Sequence, residues 1–242
     1  MSGATTAPAI ALDHLVVACR SLDAGRAWCE ATFGVSAATG GRHALMGTHN
    51  LLLSLASPRF PQAYLELIAI DPQAPAPAEP RWFDLDDPAL QAAIVEPRLV
   101  HWVARTSDID AAAGALRDVG HDPGRIVGAE RMTARGPLRW RITLPAGGRR
   151  PAGGALPLLI QWGDAFHPTD SLPPSGVSIA VLEIFGVSAP LAACLRDARV
   201  GAGPEPLLAR LASPRGEARL AAPFETGPPI EPGRSTPPAV SA

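Results

Sequence analysis

Two histidines stand in nearly the same sequence context and are the best candidates for chemistry in this chain. His14 is the third residue of the apolar run 12–18, and His101 is the third residue of the run 99–105. In each case an Asp-Ala pair follows nine residues after the histidine, as Asp23-Ala24 and Asp110-Ala111. We interpret this as an internal duplication. Because an imidazole can bind a metal ion or transfer a proton near neutral pH, and duplicated modules often pack face to face, the two histidines are expected to approach one site.

An oxygen donor follows each histidine in a later strand. Glu66 lies inside the apolar run 63–70, and Gln161 lies inside the apolar run 158–162. An unpaired carboxylate in such a strand would be strongly disfavoured or would change its pKa. A bound cation is one answer to this problem, so each module is predicted to offer a histidine on its first strand and an oxygen ligand on its last.

The elements that must position these residues form two similar modules. The first, residues 10–72, predicts the order β-α-β-β-β, with a helix that Ser21 caps and Gly34 ends. Glycines at 40, 41 and 47 separate its middle strands. The second module, residues 99–165, repeats this order. On a regular strand, His14 shares a face with Leu12 and Val16, while Asp13 points the other way.

Three further segments complete the organisation. Residues 73–98 form a linker with a short helix at 88–94, and its Trp82 and Phe83 are expected to dock against the fold. Residues 176–226 predict a partial third β-α-β-β unit, in which Ile179 replaces the histidine. We expect that unit to support structure or dimerisation. The proline-rich residues 227–242 are expected to form a disordered tail.

Composition excludes several classes of function. The chain has 242 residues, 47% of them hydrophobic, which is enough for a substantial core. A net charge of −2 provides no basic surface for nucleic acid. The sequence contains no lysine, which excludes Schiff-base chemistry on a lysine. Three scattered cysteines favour a reducing cytoplasm, and no apolar run approaches the ~18 residues of a membrane span.

A longer set of motifs resembles a known family. The motifs are Leu-Asp-His-Leu-Val-Val at 12–17, Gly-Gly-Arg-His at 40–43, Gly-Thr-His-Asn at 47–50, Tyr-Leu-Glu-Leu-Ile at 64–68, Arg-Trp-Phe at 81–83 and Ile-Gln-Trp at 160–162. Over about residues 10–165 the chain resembles the glyoxalase-like branch of the vicinal oxygen chelate superfamily. The resemblance implies an α+β fold in which tandem βαβββ modules form a cupped mixed sheet with flanking helices.

The same resemblance implies a divalent metal ion (Zn, Ni, Mn, Co or Fe) and a homodimer. The ligands of the metal ion would be His14, Glu66, His101 and Gln161, and Glu66 would also be a catalytic acid or base. His43, His49 and Asn50 would lie near the cup as candidate substrate-binding residues. Tyr64, beside Glu66, and Arg105, on the face of His101, are further candidates for substrate binding. His167, in a proline-flanked loop, is expected to be solvated.

The leading hypothesis is a metal-dependent lyase or isomerase of glyoxalase-like type, acting on a small molecule that chelates the metal through adjacent oxygens. Two alternatives stay open. His14, His101 and Glu66 would also suit an Fe(II) ring-cleaving dioxygenase. A metal-free protein that sequesters a small molecule would instead have His14 and Glu66 bonded to each other, in an aromatic-lined cleft. A scaffold with an interface in the third unit is a further possibility.

Overall fold

The computed structural model describes residues 10–163, 166–195 and 197–222. The first part contains β1 (Ala11–Ala18), α1 (Leu22–Phe33), β2 (Ala38–His43), β3 (Thr48–Ser54) and β4 (Tyr64–Ile70). After α2 (Pro88–Ala93), the second contains β5 (Arg98–Arg105), α3 (Ile109–Asp118), β6 (Arg125–Thr133), β7 (Gly136–Leu144) and β8 (Leu158–Trp162). The third contains β9 (Ser178–Phe185), α4 (Ala189–Ala192), β10 (Arg199–Gly201), β11 (Leu207–Ser213) and β12 (Gly216–Ala222). None of the helices in these ranges is long and apolar enough to cross a bilayer.

The first eight strands form one curved sheet in the order β2-β3-β4-β1-β5-β8-β7-β6. In each half the first strand pairs in parallel with the last, β1 with β4 and β5 with β8. The two halves join through the antiparallel pair β1 and β5. The predicted α+β fold with βαβββ modules is confirmed, and the two histidine-bearing strands lie side by side at its centre.

The sheet separates two apolar cores. Leu15 and Val17 of β1 pack on its outer face with α1, α3 and the smaller sheet. Val16 and Ala18 pack on its inner face with Trp82 and other residues of the linker. This alternation follows from the period of two residues along a strand.

The alternation fails at the residue before His14. β1 changes register against β5 between Leu12 and His14, which indicates a β-bulge. Leu12 therefore packs in the outer core, and the Asp13 side chain bonds to the His14 ring. The expectation that Leu12 shares a face with His14 and that Asp13 points away was wrong. The extra residue in β1 at the bulge changes the face of the sheet to which the side chains before it point.

The first helix begins and ends as predicted. The Ser21 hydroxyl accepts a hydrogen bond from Ala24 N–H at 3.2 Å. Gly34 ends the helix with φ at 76°, a left-handed conformation that glycine adopts without strain.

The linker docks on the inner face through two aromatic side chains, as expected. Trp82 and Phe83 are both buried there. Phe83 and Asp84 have φ values of 61° and 56°, which are costly for residues with a side chain. The Asp84 carboxylate accepts hydrogen bonds from the N–H and the Nε–H of Arg150, both at 3.0 Å, which fixes this turn.

The third unit forms a separate four-stranded sheet in the order β10-β9-β11-β12. It contains a strand, β10, that the predicted β-α-β-β order lacks. Its last strand also lies at an edge beside β11, whereas β4 and β8 pair with the first strands of their modules. With β10 the unit has the element order β-α-β-β-β of the two modules, but its strands pair in a different arrangement. The predicted tail at 227–242 lies outside the described residues.

The small sheet packs on the outer face of the large one and shares its core. Leu182 of β9 is 1% exposed and belongs to the same apolar cluster as Leu15 and Phe33. The position that aligned with the histidines, Ile179, also lies in this cluster. The third unit thus completes the core on the face opposite the inner residues of β1 and β5.

Replacing Leu182 with alanine should lower the free energy of unfolding by about 2–5 kcal/mol, because it leaves a cavity in this shared core. Urea denaturation followed by circular dichroism measures the change. We expect one transition with a lower midpoint, whereas Val95→Ala, at a side chain 65% exposed, should change stability by less than about 0.5 kcal/mol. A separate early transition of the small sheet would contradict a shared core.

Candidate functional site

A small pocket lies on the inner face of the large sheet. Its polar lining residues are His14, His43, Asn50, Tyr64, Glu66 and Arg131, and its aromatic walls are Trp82, Phe83, Trp140 and Trp162. Five of the nine side chains singled out from the sequence therefore meet in one place, and four do not.

His14 and Glu66 face each other in the lining of this pocket. The His14 Nδ1–H donates to the Asp13 carboxylate at 2.6 Å, so in the neutral form of the ring Nε2 is the unprotonated nitrogen. This Nε2 lies 3.6 Å from Glu66 Oε2. Both side chains are nearly buried. When the ring is neutral, two acceptors therefore point toward each other at a distance longer than a hydrogen bond.

The other oxygen of Glu66 is held by Asn50. The Asn50 amide donates to Glu66 Oε1 at 2.5 Å and lies 3.3 Å from His43 Nε2. His43 Nδ1 in turn lies 3.0 Å from the Thr48 hydroxyl. Burial lowers the pKa of His43 to about 4, against the opposing effect of Glu66, so His43 is neutral at pH 7 and can accept from Asn50.

A glycine pair makes room for this arrangement. Gly41 N–H donates to Asn50 Oδ1 at 2.8 Å. At Gly40 a Cβ atom would lie 2.0 Å from the same oxygen. The Gly40-Gly41 pair therefore lets β2 approach the Asn50 amide closely enough to orient it toward Glu66.

The Asp13 carboxylate holds His14 in place and accepts hydrogen bonds from three donors. Besides the His14 ring, its carboxylate accepts from Trp162 Nε1–H at 2.9 Å and from His167 Nε2 at 3.1 Å. Burial alone would raise the pKa of Asp13, but the hydrogen bonds and charges of His14 and His167 lower it well below its ordinary value. Asp13 is therefore ionised, which fixes the tautomer of His14.

His167 is not solvated, contrary to the expectation from its loop. It is 6% exposed, because its bond to Asp13 turns the ring inward. The Pro168 that follows it lines the pocket.

Tyr64 stacks on His14, with ring centroids 4.5 Å apart. Burial raises the pKa of Tyr64 well above its ordinary value, and the nearby carboxylates of Asp13 and Glu66 add to this effect. The phenol therefore keeps its proton and acts as a hydrogen-bond donor at neutral pH.

His101 does not line the pocket. It is fully buried, its Nε2 accepts a hydrogen bond from Leu158 N–H at 3.2 Å, and Phe83 covers it with ring centroids 5.3 Å apart. Burial lowers the pKa of His101 well below its ordinary value. The linker thus fills the half of the cup that His101 was expected to share with His14.

Gln161 lies on the other face of the sheet. Its Oε1 accepts a hydrogen bond from Ile109 N–H at 3.0 Å, at the start of α3. Strand register explains the difference: Glu66 stands opposite Val16, and Leu158 stands opposite Val103, the corresponding residue of the second half. The second half therefore has leucine where the first has glutamate, three residues before Gln161.

Two predicted substrate contacts also lie elsewhere. His49 alternates with Asn50 on β3 and so points away from the pocket, with its Nδ1 4.0 Å from the Asp71 carboxylate. The Arg105 guanidinium donates to the Leu12 carbonyl. Neither side chain lines the pocket.

The sequence reasoning missed Asp13 and Arg131. The Asp13-His14 pair was a signal in the sequence, since a carboxylate often orients a functional histidine. The assumption of regular strand alternation, however, placed the Asp13 side chain on the opposite face of the sheet. Arg131 carries no local signal, because only the curvature of the whole sheet brings β6 to the pocket.

Across the described ranges, no group of three or more His, Cys, Asp or Glu side chains is arranged to hold a metal ion. The structure brings together the two ligands expected from the first module. The two expected from the second are directed elsewhere.

Replacing Asp13 with asparagine should lower the free energy of unfolding at pH 7 by about 2–4 kcal/mol, because a buried charge that accepts three hydrogen bonds is lost. The pKa of Asp13 is lower in the folded than in the unfolded protein, where it is about 3.9. This stabilisation is therefore full above that value and is lost as the pH falls below it.

Urea denaturation between pH 7 and pH 3 measures the difference between wild type and Asp13→Asn, which should narrow below about pH 4. The exposed Asp118→Asn is the control and should show little difference at any pH. A difference for Asp13→Asn that stays constant across the range would contradict an ionised Asp13 in the folded protein.

Comparison with known proteins agrees with the fold. A protein of unassigned function from Staphylococcus aureus, titled as a hypothetical protein, matches with 16% identity, a TM-score of 0.51 and coverage of 88% of each chain. Methylmalonyl-CoA epimerase from Mycobacterium tuberculosis matches with 21% identity and a TM-score of 0.38, over 66% of this chain and 90% of its own. A Streptomyces coelicolor epimerase variant bound to 2-nitronate-propionyl-CoA gives 22% identity and a TM-score of 0.41, over 65% and 98%. The first of these similarities shows the fold alone.

A search of curated proteins gives no match. The model of the glyoxalase-like domain family matches residues 12–196, which include both βαβββ modules and the linker between them. The chain therefore belongs to the glyoxalase-like domain family, within the vicinal oxygen chelate superfamily.

Proposed function

We propose that this protein is an isomerase or lyase of glyoxalase-like type that acts on a small molecule by moving a proton at a carbon next to a carbonyl group. The proposal depends on one observation: the 3.6 Å approach of His14 Nε2 to Glu66 Oε2, in a pocket built around these two atoms. Membership of the glyoxalase-like family supports it.

The two facing acceptors favour a positive charge between them. In a neutral His14 ring the only N–H donates its hydrogen bond to Asp13, so Nε2 presents a lone pair to the Glu66 carboxylate. Lone pairs that face each other in a nearly dry site repel, because little solvent screens them. A cation, or a proton that passes between the two groups, removes this repulsion.

A divalent metal ion fits this pair but not the full ligand set that the family implies. Two ligands at about 2.1 Å from one tetrahedral ion lie about 3.4 Å apart, which is close to the observed separation of 3.6 Å. The Asp13 carboxylate on Nδ1 is the usual outer partner of a metal-binding histidine. His14 and Glu66 would hold the ion, and the ion would supply Lewis-acid polarisation of a carbonyl oxygen.

The side chains around this pair supply the remaining chemistry. Asn50 fixes Glu66 Oε1, so Oε2, when it is not holding an ion, is the oxygen placed to take a proton and return it. The protonated phenol of Tyr64 can donate to an oxyanion that forms as the proton leaves. The aromatic walls place apolar surface around these groups, which strengthens each of these interactions.

The two alternatives find different support. An Fe(II) dioxygenase with His14, His101 and Glu66 as ligands would need His101 in the pocket, and Phe83 separates it from there. A protein that only binds a small molecule is favoured by the aromatic walls, although His14 and Glu66 are not hydrogen-bonded as that hypothesis predicts. The homodimer stays a prediction, which light scattering would test.

Elemental analysis of tag-free protein purified without chelator tests the ion. We expect bound divalent metal in the wild type, and its loss in His14→Ala and Glu66→Ala, because these two side chains would hold it. His49→Ala and Gln161→Ala are matched controls on the other face and should keep the metal. Equal metal loss in Gln161→Ala and Glu66→Ala would contradict a metal site held by His14 and Glu66 without Gln161.

Proton exchange tests the catalysis. Pyruvate and 2-oxobutyrate in D₂O, followed by ¹H NMR, should lose their C3 proton signals faster with wild-type protein than with buffer. Glu66→Gln should slow this exchange by a factor of about 100 or more, since it removes the proton acceptor. His49→Ala should exchange at the wild-type rate. Equal exchange by wild type and Glu66→Gln would overturn the assigned role of Glu66, and no exchange above buffer would favour the binding protein.

A further inference from the structure

We infer that Arg131 is the specificity residue of this pocket and that it selects a small molecule carrying a carboxylate. The inference rests on the proposed function, since it names the substrate class of the same site. Arg131 lines the pocket with His14 and Glu66. Its Nη1 is buried and, among the described residues, has no hydrogen-bond partner.

The curvature of the large sheet brings this arginine to the site. β6 and β2 are the two terminal strands in the sheet order, yet they contact each other. The Arg131 side chain passes over β2 at Gly41, where a Cβ atom would lie 1.9 Å from Nη1. A side chain at position 41 would therefore displace the guanidinium. The absence of a side chain at Gly41 leaves the space that Arg131 needs to reach the pocket.

The partly buried guanidinium of Arg131 destabilises the folded protein when no acceptor faces its Nη1. Burial lowers the pKa of Arg131, while Tyr64 and Glu66 act in the opposite direction, and the group stays charged at neutral pH. A buried N–H without an acceptor disfavours the folded state. Glu66 favours the charged form of Arg131, but neither of its oxygens accepts a hydrogen bond from Nη1. An arriving acceptor would satisfy this donor.

A carboxylate matches these surroundings better than a phosphate does. Guanidinium groups bind carboxylates through two parallel hydrogen bonds. Glu66 already places one negative charge in the pocket, which disfavours a dianion such as a phosphate monoester. Trp140 and Trp162 provide apolar walls for the rest of the molecule. The substrate class is therefore a small carboxylic acid with an apolar or aromatic substituent.

Isothermal titration calorimetry with three probes of similar shape tests this assignment. Benzoate carries the carboxylate, benzamide is its neutral counterpart, and phenyl phosphate carries a dianion. We expect wild-type protein to bind benzoate more tightly than either of the others. In Arg131→Gln the affinity for benzoate should fall at least tenfold, while the affinity for benzamide should stay the same.

Two further variants separate this role from a structural one. Gly41→Ala keeps the arginine but displaces its Nη1, and should weaken benzoate binding in the same way. Arg139→Gln, at a side chain 68% exposed and paired with Glu130, should bind benzoate like the wild type. Arg131→Gln should also leave the Tm of the unliganded protein unchanged or raise it, because it removes a buried donor without a partner.

The inference is overturned if wild-type protein does not bind benzoate at millimolar concentration, if Arg131→Gln binds it as well as the wild type does, or if phenyl phosphate binds more tightly. Glu66→Gln distinguishes this failure from that of the proposed function. This variant should bind benzoate at least as tightly as the wild type, because it removes a negative charge from the pocket, even though it no longer exchanges protons, so the two results are independent.

Discussion

The buried carboxylate of Asp13 is the interaction on which the site depends. It joins three separate parts of the chain, because its donors come from β1, from β8 and from the segment after β8. Its charge fixes the proton on His14 Nδ1 and so directs the other nitrogen toward Glu66. A neutral residue at position 13 could fill the same space, but it would not determine which nitrogen of His14 faces the pocket.

Most of the fold could be predicted from the sequence, because it follows from periodicities that act locally. The modules, the first helix with its caps and the docking of Trp82 and Phe83 all come from apolar spacing, glycines and capping residues. The side-chain directions near His14 could not be predicted in this way, since the β-bulge inserts one residue and resets the alternation. A single shift of this kind decides whether Asp13 lies in the site or in the outer core.

The second half of the site could not be predicted either, because it depends on the pairing of strands that are far apart in the sequence. A repeated histidine suggested two equivalent halves, but the oxygen donor of the second half depends on the pairing of β5 with β8. That register places Leu158 where Gln161 was expected, and the linker then occupies the space over His101. The chemistry is therefore concentrated in the first half, with Arg131 as the contribution of the second.

The aromatic walls have an optical consequence. Of the five tryptophans in the chain, Trp82, Trp140 and Trp162 line the pocket, whereas Trp28 and Trp102 pack in the outer core. Indole emission responds to the polarity and charge near the ring, and the Trp162 indole is hydrogen-bonded to Asp13 itself. A molecule that enters this pocket therefore changes the surroundings of most of the fluorophores at once, and the unlabelled protein carries its own reporter of occupancy.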